Sequence, residues 1–395
     1  MRDTVLFTSD CYSEDRNATL IGLQLRKLFE ANKLDMKIAG ASLVSESNEY
    51  QKAGFEVIAS AYVPPSGGFS FQTVKGFFSD LFSGGFLIPI RFIKKIRAQR
   101  DRIKLAIVVG DVFLLWLTRK ALKKTGIPIL FYIHSKSDYI EPHYKIEERF
   151  IRKAASDVFA RDELTAGNMR GQNIPSVFLG SVIMDELNPA PIDLKLDPSR
   201  PTIGLMPGTR GEALENFMLI LQAAELLYSR RKVNFTSAVV GQITDTDLAA
   251  RALREGWTLE KGDPFSFLVK GECRVQIGRG VFVNVVHESP VLIGLTGAAN
   301  EQAAGLGKPV VAFTGTGPQT TKRRFEEQQR LMGDSLVFTE DFPEGAVKAV
   351  LHLLDNEAER TLRGKIGMER IGPPGGAERI ARFVFDKYFG FGSGK

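Results

Sequence analysis

The sequence predicts an α/β protein built from two Rossmann-like domains. At 395 residues the chain is longer than one hydrophobic core usually organises, since ordinary domains contain roughly 100–200 residues. Short apolar runs alternate with segments of helical periodicity, a pattern that predicts parallel sheets with crossover helices. A proline-rich stretch at 188–201 without a sustained apolar face interrupts this alternation and is typical of an interdomain linker.

The first alternation occupies residues 1–187 and predicts the N-terminal domain. A helical pattern runs from Ala18 to Asn32, after the first apolar run. The predicted strands are 4–8, 36–44, 55–58, 105–109, 129–133, 157–160 and 176–178. We therefore expect one doubly wound sheet here.

The second alternation occupies residues 202–371 and predicts the C-terminal domain. Its predicted strands are 202–206, 234–240, 275–277, 290–295, 309–313 and 335–338. A glycine- and proline-rich break at 372–376 then leads to a last helix, 377–389, with an aromatic face that needs a cover. We expect the terminal segment, 372–395, to cross back and pack on the first domain.

Composition and cysteine usage exclude several classes of protein. The apolar share of 44% and charged share of 25% are near globular averages and argue against a disordered chain or a membrane-spanning bundle. The apolar stretch 105–117 is interrupted by Asp111 and is shorter than the ~20 residues of a spanning helix. Cys11 and Cys273 are too few for a disulfide framework or a four-ligand zinc site. Because the opening residues lack the apolar core of a signal peptide, we expect a cytoplasmic protein.

The motif PGTRGE, at 207–212, lies between a predicted strand and a predicted helix. Such a turn exposes backbone N–H groups at the positive end of a helix dipole, which suits a pyrophosphate. Arg210 would add a mobile positive charge. The alternative is an ordinary glycine-containing turn in which Glu212 favours the start of the helix.

A second motif, TGAANEQAAGLGKPVV at 296–311, follows a later strand of the same domain. The small residues 297–299 would let a ligand approach the backbone closely, and the polar side chains at 300–302 could hold ribose hydroxyls. The alternative is a tightly packed small-residue helix. The glycine-rich loop 315–325 comes next, and Gln319, Thr320 and Lys322 are candidates there for phosphate or sugar contacts, or else a solvated start of a basic helix.

Together these two motifs resemble the pattern of lipid A disaccharide synthase, and the chain is most similar to a branch known only as related to that enzyme. The similarity extends to SDCYSEDRNA at 9–18, VGD at 109–111 and SVFLGSVIMDEL at 176–187. The family's helix glutamate aligns with Gln302, one position after Glu301, so both are retained as candidates. The donor-binding residues predicted from motif and resemblance are Gly208, Thr209, Arg210, Glu212, Gly297, Ala298, Asn300, Glu301, Gln302, Gln319 and Thr320.

The resemblance implies the GT-B fold of glycosyltransferases, in which two Rossmann-like domains face each other across a cleft, and it implies an inverting reaction. A sugar would pass from a nucleotide-sugar donor, with a UDP-sugar favoured, to a lipid-linked acceptor at the cytoplasmic face of the membrane. No cofactor is implied.

Such a transfer needs a general base and stabilisation of the leaving group. Asp111 is the preferred base because it ends a predicted strand, and ligands of open α/β sheets bind at those ends. Its alternative role is to cap the following helix. Glu14 and Asp15 are rival catalytic residues at another helix start, whereas His134, which also ends a strand, has no visible partner and is more typical of a structural histidine.

The triplet Asp245-Thr246-Asp247 is the candidate for a metal site. Because it directly precedes a helical pattern, helix capping explains it better than a bound cation. We expect no metal, since the helix dipole and Arg210 can stabilise the leaving pyrophosphate.

The composition between residues 67 and 102 is aromatic and then basic, which is typical of a membrane-interface segment. The predicted membrane-binding residues are Phe69, Phe71, Phe77, Phe78, Phe82, Arg91, Lys94, Lys95 and Arg97. The alternative is an internal helical hairpin with the phenylalanines in the core. The net charge of +6 comes with no recognised nucleic-acid module, so we expect an anionic membrane surface and no nucleic acid as partner.

Two other functions remain open at the level of sequence. Non-hydrolysing UDP-N-acetylglucosamine 2-epimerases share the two-domain plan and the donor pocket, but they need no membrane-docking segment. A non-catalytic protein that binds a nucleotide sugar or a lipid would tolerate replacement of Asp111, Glu14 and Asp15.

Overall fold

A computed structural model describes residues 3–60 and 87–390 of the chain. They divide into two compact units, of which the first runs to Asp185 and resumes at Pro374, while the second is Glu186–Pro373. Each unit is built on one sheet of mostly parallel strands with helices. The predicted fold class, α/β with two Rossmann-like domains, is confirmed.

The first unit contains a parallel sheet whose strands are connected in two directions from its centre. Its strands are β1 (Thr4–Ser9), β2 (Lys37–Ser42), β3 (Glu56–Ala59), β4 (Ile103–Gly110), β5 (Ile129–Ile133), β6 (Asp157–Phe159) and β7 (Ser176–Val177). They lie in the order β3-β2-β1-β4-β5-β6-β7, so the direction of connection reverses between β1 and β4. In open α/β sheets such a switch point is where ligands bind.

Helices cover both faces of the first sheet. They are α1 (Tyr12–Ala31), α2 (Asn48–Lys52), α3 (Leu87–Gln99), α4 (Val112–Ala121), α5 (Lys145–Ala154), α6 (Glu163–Gly171) and, from the C-terminus, α14 (Gly376–Tyr388). One apolar core lies between the sheet and α3, α4 and α5, and another lies between the sheet and α1 and α14. Helix α1 begins at Tyr12 and not at the predicted Ala18. The prediction began too late because the first residues of the helix are polar and show no apolar periodicity.

The C-terminal helix packs against α1 within the first unit, as the sequence predicts. The rings of Phe385 and Phe389 lie 6.1 Å and 4.9 Å from that of Phe29, measured between ring centroids. The carboxylate of Asp185 accepts hydrogen bonds from the backbone N–H groups at the start of α14, including that of Ala377 at 2.7 Å. A carboxylate at this end of a helix is favoured by the helix dipole.

The second unit contains a mixed sheet. Its strands are β8 (Thr202–Met206), β9 (Asn234–Ala238), β10 (Thr258–Glu260), β11 (Ser266–Lys270), β12 (Cys273–Gly278), β13 (Val291–Gly294), β14 (Val310–Phe313) and β15 (Leu336–Thr339). The order is β10-β11-β12-β9-β8-β13-β14-β15, which reverses direction between β8 and β13. Strands β10 and β11 pair in the antiparallel sense, and sequence analysis missed both.

Helices alternate with most of the strands of the second unit. They are α7 (Ala213–Arg230), α8 (Asp245–Leu253), α9 (Phe282–Glu288), α10 (Ala298–Gly305), α11 (Lys322–Met332), α12 (Glu344–Asp355) and α13 (Glu357–Ile371). Within residues 3–60 and 87–390, no helix of either unit combines the length and apolar character needed to cross a bilayer.

Candidate functional site

Three loops of the second unit meet at the carboxyl ends of neighbouring parallel strands. They are 207–212 after β8, 295–297 after β13 and 314–321 after β14. The backbone N–H of Leu295 donates to the carbonyl of Met206 at 2.9 Å, which links the first two loops. The loops therefore surround the switch point between β8 and β13, where an open α/β sheet binds its ligands.

The PGTRGE turn is held in a conformation that requires glycine. Gly208 has a φ of +98°, and a Cβ there would lie 3.2 Å from the carbonyl oxygen of Leu295. Beyond it, Thr209 and Arg210 are exposed. Glu212 approaches the third loop so closely that a Cβ on Gly317 would lie 2.8 Å from its carboxyl group. The turn thus exposes backbone and a guanidinium while Glu212 contacts loop 314–321.

The second loop leads into the N-terminus of α10. Apart from its two chain neighbours, no atom of the described residues lies within 4 Å of the place where a Cβ on Gly297 would stand, and Ala298 is exposed. A ligand could therefore approach the first backbone N–H groups of α10 directly. Glu301 and Gln302 are half-buried one turn later on the same helix.

Asn300 is buried within the protein. Its Nδ2 donates to the carbonyl of Gly294 at 3.3 Å and to Oε1 of Gln328 at 3.0 Å. Gln328 in turn donates from Nε2 to the carbonyl of Thr296 at 3.0 Å. These contacts connect the end of β13 with the loop before α10 and with α11. Sequence analysis did not identify Gln328, because nothing in its helical context separates it from a surface glutamine.

The third loop is fixed by a buried amide from α7. Oδ1 of Asn216 accepts hydrogen bonds from the backbone N–H of Thr316 at 2.7 Å and from its hydroxyl at 3.0 Å. The Thr320 hydroxyl, also buried, donates to the Thr316 carbonyl. Nε2 of Gln319 is buried and has no hydrogen-bond partner among the described residues. Asn216 was missed, although an amide among the apolar residues of α7 was a signal that could have found it.

Acidic side chains gather at the switch point of the first unit. Asp10, Glu14 and Asp15 follow β1, and Asp111 follows the neighbouring β4. Glu14 Oε2 would lie 3.1 Å from a Cβ on Gly110, the last residue of β4. The structure thus places the three acids selected from sequence near the ends of two adjacent strands, together with Asp10, which sequence analysis did not select.

Asp15 is buried in a cage of serine hydroxyls. Its Oδ1 accepts from Ser9 at 2.5 Å and from Ser42 at 2.7 Å, and its Oδ2 accepts from Ser45. Burial raises the pKa of Asp15, and the three hydroxyls oppose that rise. Both oxygens of Asp15 therefore bind hydroxyl groups of the protein, and the carboxylate links α1 with β1 and β2.

Glu14 is buried beside the end of β4. Its Oε2 accepts from the backbone N–H of Asp10 at 2.8 Å, and its Oε1 accepts from the Ser135 hydroxyl at 2.8 Å. Burial, and next the charge of Asp10, raise the pKa of Glu14 to about 8. This carboxyl group therefore holds a proton at neutral pH.

The carboxyl group of Asp10 makes fewer hydrogen bonds than those of Glu14 and Asp15. Its Oδ1 is shielded from solvent and has no hydrogen-bond partner among residues 3–60 and 87–390. Burial, followed by the charges of Asp111 and Asp15, raises the pKa of Asp10 to about 7. Asp111 is exposed and accepts a hydrogen bond from the backbone N–H of Leu114 at 2.8 Å, so it caps α4. A carboxyl group with an oxygen that lacks a hydrogen-bond partner and with a pKa near neutrality has the properties of a general base.

His134 has partners that the sequence did not reveal. Asn17 Nδ2 lies 2.9 Å from its Nδ1, and the Ser13 hydroxyl lies 3.4 Å from its Nε2. Burial, and then the charge of Arg161, lower the pKa of His134 to about 3, so the ring is neutral. With Asn17 donating to Nδ1, the proton is on Nε2. The ring of His134 therefore links the end of β5 with the start of α1 through hydrogen bonds.

The predicted membrane-binding residues divide into two groups. Arg91, Lys94, Lys95 and Arg97 are exposed on α3, whose Phe92 and Ile96 are buried in the core. The predictions for Phe69, Phe71, Phe77, Phe78 and Phe82 lie outside the described residues.

The acidic triplet 245–247 forms the first turn of α8. Thr244 caps the helix by accepting from the backbone N–H of Asp247 at 3.1 Å, and Asp245 pairs with Arg279 at 2.7 Å. In the described part of the chain, no three or more histidine, cysteine, aspartate or glutamate side chains are grouped to hold a metal ion.

The comparisons with known proteins agree with this architecture. No protein-family model matches the chain. Lipid-A-disaccharide synthase of Geobacter metallireducens is 24% identical over 298 residues, which cover 68% of this chain and 71% of that protein.

Solved structures match almost the whole chain at low identity. The calicheamicin glycosyltransferase is 13% identical with a TM-score of 0.64, and the match covers 100% of both chains. The UDP-GlcNAc 2-epimerase from Neisseria meningitidis, solved with bound UDP-GlcNAc, is 14% identical with a TM-score of 0.59, covering 97% of this chain and 98% of that one. The protein is a distant homologue of lipid A disaccharide synthase with the two-domain GT-B fold of glycosyltransferases.

Proposed function

We propose that the protein is an inverting, metal-independent glycosyltransferase that moves a sugar from a UDP-sugar to a hydroxyl of a lipid-linked acceptor at the cytoplasmic face of the membrane. The observation that carries the proposal is the different chemistry of the two switch points. That of the second unit offers backbone N–H groups and a guanidinium, which suit a diphosphate. That of the first unit offers a carboxyl oxygen without a protein partner, which suits a reacting hydroxyl.

In this proposal the second unit holds the donor. The diphosphate lies against the PGTRGE turn and the N-terminus of α10, where Gly297 leaves room for close approach. Arg210 and the buried amide of Gln319 add donors. Stabilising the negative charge that develops on the departing diphosphate lowers the barrier, because these groups interact more strongly with the leaving group than with the intact donor.

The first unit supplies the base. The acceptor hydroxyl transfers its proton to Oδ1 of Asp10, and its oxygen forms a bond to the anomeric carbon. The bond between that carbon and the diphosphate oxygen breaks on the opposite face, so the configuration inverts. Asp111 acts through its charge, which raises the pKa of Asp10. Asp15 keeps its serine partners throughout.

The test is incubation of the protein with a panel of nucleotide sugars and extracted membrane lipids, followed by mass spectrometry. The proposal predicts a lipid that gains the mass of one sugar residue. Arg210→Ala should lower kcat by about 10²–10³-fold, the effect of removing one group that stabilises developing charge. Arg254→Ala, which removes an exposed arginine at the end of α8, is the matched control and should retain activity. Unchanged activity of Arg210→Ala would remove this residue from the site.

A second candidate is a non-hydrolysing UDP-N-acetylglucosamine 2-epimerase, which the similarity to solved epimerases favours. An epimerase changes the configuration at C2 of the sugar and needs no acceptor. Incubation of the protein with UDP-N-acetylglucosamine alone in D2O separates the two reactions by NMR. A C2 epimer without any lipid would support the epimerase. A UDP-sugar that binds but undergoes neither reaction would support a non-catalytic binding protein.

A further inference from the structure

Helix α4 presents an aromatic and basic stripe on its outer face. Phe113, Trp116 and Lys120 follow one another at three- and four-residue spacing, which places them on one side of the helix. Phe113 is 50% exposed and Trp116 is 42% exposed. Their rings stack with centroids 5.9 Å apart, and Lys120 Nζ lies 4.6 Å from the centroid of the indole. Two large aromatic side chains on one exposed stripe are unusual for a surface helix.

Helix α3 lies beside α4 and continues this character. Both helices bury their inner faces in the same apolar core, and Arg97 on α3 donates to the carbonyl of Lys120 on α4 at 3.3 Å. On the outer side of α3, Leu87 and Ile90 are about as exposed as the two aromatics. The two outer faces therefore form one surface, which we name the α3–α4 face.

The α3–α4 face is strongly basic. Helices α3 and α4, with the few residues that follow each, lie in the segments 87–100 and 112–124. Neither segment contains an aspartate or a glutamate. Their basic residues are Arg91, Lys94, Lys95, Arg97, Arg100, Arg119, Lys120, Lys123 and Lys124. A surface that combines exposed apolar side chains with many cations and no interspersed acids complements an anionic lipid headgroup layer.

We propose that the α3–α4 face docks on an anionic lipid bilayer, with the rings of Phe113 and Trp116 at headgroup depth. Tryptophan favours this depth because its ring is apolar and its N–H is polar. A second copy of the same face is disfavoured as occupant, because two surfaces of like charge repel each other. A nucleic acid would contact the cations but not the exposed aliphatic side chains of α3.

The role of this docking in the reaction rests on the proposed function. Asp111 caps α4, so the exposed aromatic stripe begins two residues after an acid of the catalytic cluster. A bilayer held against α4 would lie close to Asp10 and Asp111, and a lipid-linked hydroxyl would have a short path to the base. The proposal adds α4 to the basic residues of α3 that the sequence indicated for membrane contact.

Tryptophan fluorescence can test the docking directly, because the chain contains only two tryptophans. Trp257 is 1% exposed, so Trp257→Phe leaves Trp116 as the sole reporter. On addition of vesicles of phosphatidylcholine mixed with phosphatidylglycerol, we expect the Trp116 emission to shift to shorter wavelength and to be quenched by brominated lipids. Pure phosphatidylcholine vesicles should give little change. Should folding suffer in Trp257→Phe, the wild-type protein gives the same readout above the constant signal of the buried indole.

Vesicle flotation supplies the matched variants. Trp116→Ser should lower the affinity for anionic vesicles by about tenfold, since a large apolar side chain no longer leaves water. Lys123→Glu together with Lys124→Glu should weaken it further and make it less sensitive to salt. Leu253→Ser, which removes an exposed apolar residue of the second unit, should bind as the wild type does.

Three results would overturn the docking proposal. They are unchanged flotation of Trp116→Ser, emission of Trp116 that does not respond to anionic vesicles, and binding of duplex DNA or RNA that shifts this emission while vesicles do not. Failure of the docking is distinguishable from failure of the proposed function. Trp116→Ser should retain wild-type transfer to a detergent-solubilised acceptor, whereas absence of transfer with intact vesicle binding would refute the glycosyltransferase and leave the dock in place.

Discussion

The acids of the first unit differ in their surroundings, and the surroundings assign their roles. Asp15 is surrounded by serine hydroxyls, and Glu14 has a partner on each oxygen. Among these three acids of the cluster, Asp10 alone has a shielded carboxyl oxygen without a partner in the described residues. The segment SDCYSED holds three acids within a few positions. Sequence could therefore indicate the cluster but could not select the base, because partners and burial depend on β2, β4 and β5.

Replacement of Asp10 should affect catalysis, whereas replacement of Asp15 should affect folding. Asp10→Asn should lower kcat by about 10²–10⁴-fold, the contribution of a positioned general base. Asp15→Asn should lower the free energy of unfolding by about 1–3 kcal/mol, because an amide cannot accept all three serine hydroxyls. Steady-state kinetics and urea unfolding measure the two effects. Asp35→Asn, at an exposed position, is the control, and wild-type kcat in Asp10→Asn would exclude it as the base.

The pH dependence tests the pairing of Asp10 with Asp111. A general base works as its carboxylate, so kcat/KM should fall as the pH drops through the pKa of Asp10, which is about 7. The negative charge of Asp111 disfavours ionisation of Asp10 and so raises that pKa. Asp111→Asn removes the charge, keeps a side chain that can cap α4, and should move this acidic limb to lower pH. Complete loss of activity in Asp111→Asn would instead make Asp111 the base.

Glu14 should make the stability of the protein depend on pH. Its pKa in the folded state is about 8, raised from an ordinary value of 4.5 mainly by burial. The folded state therefore binds the proton more tightly than the unfolded state, and this contribution to stability is lost as the pH rises from 4.5 through 8. Glu14→Gln should lessen the decrease in unfolding free energy between pH 5 and pH 9. Equal pH dependence of the two proteins would contradict the assignment.

At the scale of elements, the donor loops depend on two glycines for different reasons. Gly208 has a positive φ and faces a backbone carbonyl, whereas Gly297 faces open space. Gly208→Ala should lower the free energy of unfolding by about 1 kcal/mol or more. Gly297→Ala should leave stability nearly unchanged and weaken UDP binding, because its Cβ occupies the space of the ligand. Thermal unfolding and calorimetry measure both, and unaltered UDP affinity in Gly297→Ala would place the diphosphate elsewhere.

Sequence periodicity predicted the parallel strands more reliably than the antiparallel pair. The central strands β4, β8 and β13 are mostly apolar because nearly all of their residues are buried on both faces of the sheet, and β1 has an apolar centre, Val5–Phe7. Strand β10 has three residues, and β11 is mostly half-buried, so neither produces a clear periodic signal. The supporting amides Asn216 and Gln328 were missed because their importance depends on loops distant in sequence.

At the scale of the whole molecule, the repeated alternation of strands and helices predicted two Rossmann-like units, and each unit has the switch point that this topology creates. The positions of strand ends could be predicted from sequence, and with them the loops that carry the donor and acid residues. The exposed aromatic stripe of α4 could not, because an apolar helix segment such as VFLLWL indicates burial until its neighbours are known. Only packing against α3 and β4 decides which side faces solvent.

The central claim is the inverting transfer of a sugar to a lipid-linked hydroxyl. The most direct measurement is NMR of the reaction between UDP-N-acetylglucosamine labelled with ¹³C at the anomeric carbon and extracted membrane lipids. The account predicts that the α-linked donor signal is replaced by a β-linked glycolipid signal while UDP is released in equal amount, with no such change for Asp10→Asn. An α-linked product, or a C2 epimer of the donor formed without lipid, would contradict it.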